Sequence, residues 1–81
     1  MIRESNLEPI DYCRKWADIP EGERGFRKAS VIALMKATSL KESTISNWGE
    51  DFRRRPDSVL RTLELADKLK QIHQAIVSLD L

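Results

Sequence analysis

The chain has 81 residues, of which 41% are hydrophobic and 33% charged, and its net charge is +1. This size allows one small domain with a single core, and the scarcity of aromatic residues favours helices over a sheet. No uncharged apolar run approaches the ~20 residues that span a bilayer, and the first residues lack the basic start and apolar segment of a signal peptide. The composition therefore predicts a cytoplasmic, all-α protein with no membrane partner.

The composition also argues against metal, disulfide and enzyme chemistry. Cys13 is the only cysteine and His73 the only histidine, so the chain lacks both an internal disulfide and the ligands of a structural zinc site. It contains no glycine-rich phosphate loop, paired-carboxylate site or nucleophile-base arrangement. We therefore expect no enzyme activity and no cofactor, with Cys13 buried as a small apolar side chain and His73 on a helix surface or at an interface.

The charges are unevenly distributed. Residues 1–23 carry three basic and six acidic side chains, residues 24–55 carry eight and three, and residues 56–81 carry three and four. Residues 24–55 thus form a basic segment. A protein surface with clustered basic side chains attracts nucleic acids.

The first section of the predicted single domain, residues 1–24, contains one helix and a connector. Pro9 suits an early helical position. The apolar residues that then share one side of the helix are Ile10, Cys13 and Trp16 or Ala17. The helix is predicted to end at Ile19, because the residue before a proline is disfavoured in the α conformation. The following "PEGERG" is rich in turn residues and predicts a connector.

The second section, residues 25–55, contains two helices joined by a short turn. Apolar residues return at helical spacing from about Gly25 and predict a helix that ends near Ala37. Its apolar positions are Phe26, Ala29, Ile32, Ala33 and Met35. Residues 38–40 suit a turn or cap, so a third helix is predicted from near Lys41 to about Gly49, a residue type favoured just past helix ends. The charged link "EDFRRRPD" follows.

The third section, residues 56–81, predicts one long helix that begins at Pro56 and Asp57. One apolar set is predicted to pack on the rest of the domain: Val59, Leu60, Leu63 and Ala66. A second set steps by four, three, four and three residues, which is a heptad seam: Leu65, Leu69, Ile72, Ile76 and Leu79. We expect this seam to form a homodimer interface; the alternative is that both sets belong to one intramolecular core.

The stretch "LMKATSLKESTISNW", Leu34 to Trp48, resembles a helix-turn-helix of the lambda-repressor-like kind. In such units apolar residues hold the second helix so that its outer face can enter the DNA major groove. Leu40, Ile45 and Trp48 match the family's spacing of one apolar residue after the turn, another five residues on and a third three beyond. The alternative for "STISNW" is a solvated loop with two stray apolar residues.

The similarity extends to the phage CII-type activators, which share an "SxISxW" core, an Asp followed by an aromatic residue, and a long leucine-bearing helix. The matching residues are Ser43, Ile45, Ser46, Trp48, Asp51, Phe52 and the run from Val59, about half the chain. Two positions depart from the family's pattern. Met35 replaces a small residue and would alter the angle between the helices, while Ser39 replaces a turn glycine and predicts a longer or differently shaped turn.

The resemblance implies that exposed side chains of the second helix and of the charged link contact DNA. The candidates are Lys36, Lys41, Glu42, Ser43, Thr44, Ser46, Asn47, Arg53, Arg54 and Arg55. Asn47 and Lys41 are the expected base contacts, because asparagine matches adenine and lysine matches guanine, and Glu42 would accept from cytosine or deter wrong contacts. The expected phosphate contacts are the three arginines of the link with Arg27, Lys28, Lys36 and Lys41. The alternative for the link is a solvated charge run.

These expectations combine into a small transcriptional regulator that binds double-stranded DNA as a homodimer, with RNA polymerase or another protein as a candidate partner. One alternative is a protein-interaction module, such as an antitoxin-like or adaptor helical bundle, which the acidic first segment and low net charge favour. Another is an accessory protein for DNA architecture or packaging.

Overall fold

The computed structural model describes residues 7–79, and this part of the chain contains α-helices and no strand. The helices are α1 (Pro9–Trp16), α2 (Phe26–Thr38), α3 (Glu42–Ser46) and α4 (Asp57–Leu79). The predicted all-α fold is confirmed. None of the described helices is long and apolar enough to cross a membrane.

The first helix ends at Trp16, one turn earlier than predicted. Ala17 is extended, with φ −67° and ψ 147°, and its N–H donates to the carbonyl of Cys13. The indole of Trp16 donates a 2.8 Å hydrogen bond to Asp67, so the end of α1 is tied to α4. The local sequence pattern predicted a helix end at Ile19 because it contains no information about contacts between residues so far apart in the chain.

The core is formed where α2 packs against the other three helices. Its buried hydrophobic residues are Tyr12, Cys13, Val31, Leu34, Ile45, Trp48, Phe52, Val59 and Leu63. The inner face of α2 is centred on Leu34, whereas Ile32, which the sequence placed on the apolar face, is 42% exposed. Because α2 carries apolar residues on several sides, periodicity alone does not fix which side turns inward.

Cys13 lies in this core and faces the backbone of α2. Its thiol donates a 3.7 Å hydrogen bond to the carbonyl of Ser30. Burial raises the pKa of the Cys13 thiol to about 11. The side chain is therefore a neutral, buried thiol at pH 7, as the sequence predicted.

The long helix α4 has two distinct halves. Val59 and Leu63 are buried in its first half and Ala66 packs against the core, so the predicted packing is confirmed for these three residues, whereas Leu60 is half-buried. The five seam residues from Leu65 to Leu79 are 51–82% exposed. The seam therefore takes no part in the core of the single chain, which excludes the alternative of one shared intramolecular core.

Candidate nucleic-acid interface

The turn between α2 and α3 consists of residues 39–41 and is fixed by a left-handed residue. Ser39 has φ 63° and ψ 19°, and its N–H donates to the carbonyl of Met35 at 2.8 Å. The sequence predicted that a serine here would lengthen or reshape the turn, but Ser39 instead adopts the conformation that glycine favours. The conformation costs an L-residue roughly 1–2 kcal/mol.

Thr38 stabilises the same turn from its N-terminal side. Its hydroxyl donates to the carbonyl of Leu34 at 2.7 Å and accepts a hydrogen bond from the N–H of Leu40 at 3.2 Å. The hydroxyl thus adds a bond to a carbonyl in the last turns of α2 and satisfies one N–H of the turn. Leu40, the first predicted anchor, is half-buried against the core.

The segment "STISNW" is helical up to Ser46 and continues as a turn. Ile45 is fully buried and Trp48 is 5% exposed, so both predicted anchors point inward. The polar residues predicted to face outward all do so: Lys41, Glu42, Ser43, Thr44, Ser46 and Asn47. The alternative of a solvated loop with stray apolar residues is therefore wrong.

Met35, the bulky residue at a position where small residues were expected, lies at the edge of the core. It is half-buried and packs against the core, and α2 and α3 remain in contact around it. The side chain is thus accommodated at the periphery of the helix pair, which forms without a small residue there.

The chain leaves α3 through a tight loop, residues 48–54, which we call the brace loop. Gly49 has φ 97° and Phe52 has φ 59°. The N–H of Arg54 donates to the carbonyl of Trp48 at 2.9 Å, and that of Phe52 donates to Gly49 at 3.2 Å. A positive φ strains a bulky residue by about 1–3 kcal/mol, and burial of the Phe52 ring in the core offsets this cost.

Arg27, at the start of α2, holds the brace loop from outside. Its guanidinium donates 3.0 Å hydrogen bonds from Nη1 to the carbonyls of Gly49 and Glu50. The guanidinium carbon also lies 4.4 Å from the centre of the Phe52 ring. The sequence predicted a phosphate contact for Arg27, whereas in the structure its Nη1 donates to the protein's own backbone.

The three arginines of the charged link have different surroundings. Arg55 forms a bidentate pair with Glu8, with both nitrogen–oxygen distances at 3.0 Å, and it also contacts Asp57 at 3.4 Å. The hydrogen bond and charge of Glu8 raise the pKa of Arg55, which is a cation at any physiological pH. Arg53 lies 3.9 Å from Asp51 and both side chains are well exposed, so that pair is weak.

Several predicted contact residues remain free to meet a ligand. Within residues 7–79, the cations Lys36, Lys41 and Arg54 are exposed and form no ion pair. Lys41 precedes α3 and Arg54 ends the brace loop, so they flank the exposed face of the short helix on both sides in sequence. The segments before and after α3 thus each carry an exposed cation without an ion pair.

Sequence reasoning missed two features of this surface. The pair of Arg55 with Glu8 joins residues 47 apart, and the bonds of Arg27 span 22 and 23 residues. No local spacing signals such contacts. The only sequence signal for such contacts was that the basic residues of the link are arginines and not lysines, because the planar guanidinium suits bidentate and stacked contacts.

The described part of the chain holds no group of three or more histidine, cysteine or acidic residues able to bind a metal ion. Comparison with protein-family models, with curated proteins and with solved structures found no match to this chain.

Proposed function

We propose that this protein binds double-stranded DNA in a sequence-specific manner as a small transcriptional regulator, with α3 as the recognition helix. The observation that carries the proposal is the sidedness of residues 41–48: the two apolar side chains are buried, and every polar one is exposed. A helix that is anchored by its apolar face and presents only polar side chains matches what a helix-turn-helix inserts into the major groove.

Base recognition would come from Lys41 and Asn47, at the two ends of α3. Asn47 has φ −70° and ψ −10° and continues the helical path, so its amide lies on the exposed surface of that element. Asparagine can pair with adenine through two hydrogen bonds, and lysine donates to guanine. Glu42, Ser43, Thr44 and Ser46 supply further donors and acceptors.

Phosphate contacts would come from the exposed cations Lys36, Arg53 and Arg54. These contacts supply affinity that depends on salt and is blind to sequence. Among the arginines of the link, Arg55 is the weakest candidate for a phosphate contact, because its Nε and Nη2 already donate to Glu8. In the proposed complex, Arg55 fixes the link to α1 and leaves the neighbouring arginines to face DNA.

Homodimerisation through the exposed half of α4 belongs to the same proposal. The seam residues recur at heptad spacing and are more than half exposed in the single chain, so pairing with a second copy would remove a continuous apolar stripe from water. Two copies would place two recognition helices about 34 Å apart, one turn of DNA, and read a repeated or two-fold site.

The proposal is tested by fluorescence polarisation with a DNA duplex selected from a random pool by the wild-type protein, at ~50 mM salt. Replacing Lys41, Asn47 and Arg54 by alanine together should abolish detectable binding, since two proposed base contacts and one phosphate contact are lost. The matched control replaces Arg61, Lys68 and Gln74, which are exposed on α4 and carry the same total charge.

The control variant should retain the wild-type affinity to within about threefold, and circular dichroism should show both variants folded. Undiminished binding by the first variant would contradict the proposed interface. Selection that enriches no sequence, together with weak binding to all duplexes, would contradict sequence specificity.

A protein-interaction module is the second candidate, and the exposed seam of α4 is the observation that favours it. On this alternative the seam binds a helix of another protein, and the protein shows no DNA binding with a steep salt dependence. Measuring binding to mixed genomic fragments between 50 and 200 mM salt, a range of roughly fourfold, separates the two candidates.

A further inference from the structure

We propose that Arg27 is a positioning residue for DNA recognition, which holds the brace loop in place and makes no phosphate contact itself. This inference rests on the proposed DNA-binding function. Arg27 is the second residue of α2, the first of the two helices in the proposed helix-turn-helix. Its guanidinium connects the start of α2 to the segment that leaves α3.

The geometry of the guanidinium supports this role. One nitrogen donates to two adjacent carbonyls at 3.0 Å, and the plane is close enough to the Phe52 ring for a cation–π contact. A lysine offers a point charge without the planar stack, so it reproduces only part of this arrangement. Nη1 of Arg27 is thus occupied by carbonyls of the protein itself.

The brace loop needs such support because its backbone is strained. Phe52 holds a positive φ, and residues in such conformations persist only where the surrounding structure over-determines them. The loop also carries Arg53 and Arg54 and begins at Trp48, an anchor of the recognition segment. Loss of the Arg27 contacts would therefore loosen the brace loop. It would displace the proposed phosphate contacts and the end of the segment that is proposed to contact bases.

The experiment compares Arg27→Ala, Arg27→Lys and Lys36→Ala by two measurements. The first is the salt dependence of binding to the selected duplex. The second is amide hydrogen exchange of the free protein at Phe52 and Arg54, whose N–H groups bond within the brace loop. Exchange of the Leu34 amide, in the middle of α2, reports whether the whole domain has lost stability.

We expect Arg27→Ala to weaken binding by about threefold to tenfold without changing the slope of log affinity against log salt. Its Phe52 and Arg54 amides should exchange faster while that of Leu34 is unchanged. Arg27→Lys should restore each value only in part. Lys36→Ala should lower the slope by about 0.9 for each protomer bound, or about 1.8 for the proposed homodimer, and leave exchange in the loop unchanged.

The proposal is overturned if Arg27→Ala lowers the slope as Lys36→Ala does, or if Arg27→Lys behaves like the wild type. Equal acceleration at Leu34 would also overturn it, since that result means general destabilisation. If the wild type binds no DNA, the proposed function fails, and exchange alone then decides whether Arg27 braces the loop.

Discussion

Replacing Ser39 by glycine should stabilise the protein, because Ser39 is an L-residue in the left-handed region. Its φ of 63° and ψ of 19° place it there, its side chain is exposed, and the backbone N–H bond to Met35 is kept by any residue except proline. The substitution therefore removes strain without removing a contact. It also leaves the proposed DNA-contacting residues of α3 unchanged.

The expected magnitude follows from two opposing terms. Relief of the left-handed conformation contributes about 1–2 kcal/mol, and the larger conformational entropy of glycine in the unfolded chain costs about 0.4–1 kcal/mol. The net gain in the free energy of unfolding lies between about 0 and 1.6 kcal/mol, with a midpoint of about 0.8 kcal/mol. For a domain of this size, the midpoint gain raises the Tm by roughly 3–6 °C.

Urea and thermal unfolding, followed by circular dichroism, measure this gain. The matched control is Ser43→Gly, the same change at an exposed residue inside α3. There glycine relieves nothing and should cost about 0.5 kcal/mol through its lower helix propensity. If Ser39→Gly is no more stable than the wild type while Ser43→Gly is destabilised, the assignment of strain to Ser39 is wrong.

Three further predictions concern the dimer, the acid stability and the thiol. Ile72→Glu should weaken self-association at least about tenfold in sedimentation equilibrium, because it places a charge in the seam. Gln74→Glu, a control outside the seam, should leave self-association unchanged. Equal effects of the two substitutions would exclude the seam as the interface. Burial raises the pKa of Asp67, but hydrogen bonds from Lys15 and Trp16 outweigh it and the pKa lies below its usual value. Asp67 therefore stabilises the fold above its unfolded pKa of about 3.9, and this stabilisation is lost as the pH falls through the lower folded pKa. Between pH 6 and 3, the free energy of unfolding in urea should fall less in Asp67→Asn than in the wild type. The pKa of about 11 for Cys13 predicts that iodoacetamide at pH 7.5 labels the thiol slowly in the native protein and rapidly in guanidinium chloride, whereas fast native labelling would contradict its burial.

The local pattern of the sequence was enough to predict the helices, apart from the C-terminal ends of α1 and α3, and the inward-facing residues Ile45 and Trp48. The spacing of Ile45 and Trp48 fixes which side of α3 turns inward, because residues three apart share a helical face. The lack of glycine and proline after Asp57 allows α4 to run unbroken, and its two apolar sets distinguish the packed half from the exposed half.

Only the tertiary structure decided the roles of the arginines, the inner face of α2 and the conformation of Ser39. Arg27 and Arg55 meet partners at least 22 residues away, so their roles depend on the path of the whole chain. Val31, Leu34 and Ile32 are equally apolar, and the positions of the other helices determine that Ile32 faces outward. The strained Ser39 is maintained because α2 and α3 must pack around a turn of three residues, and that packing outweighs the preference of one residue.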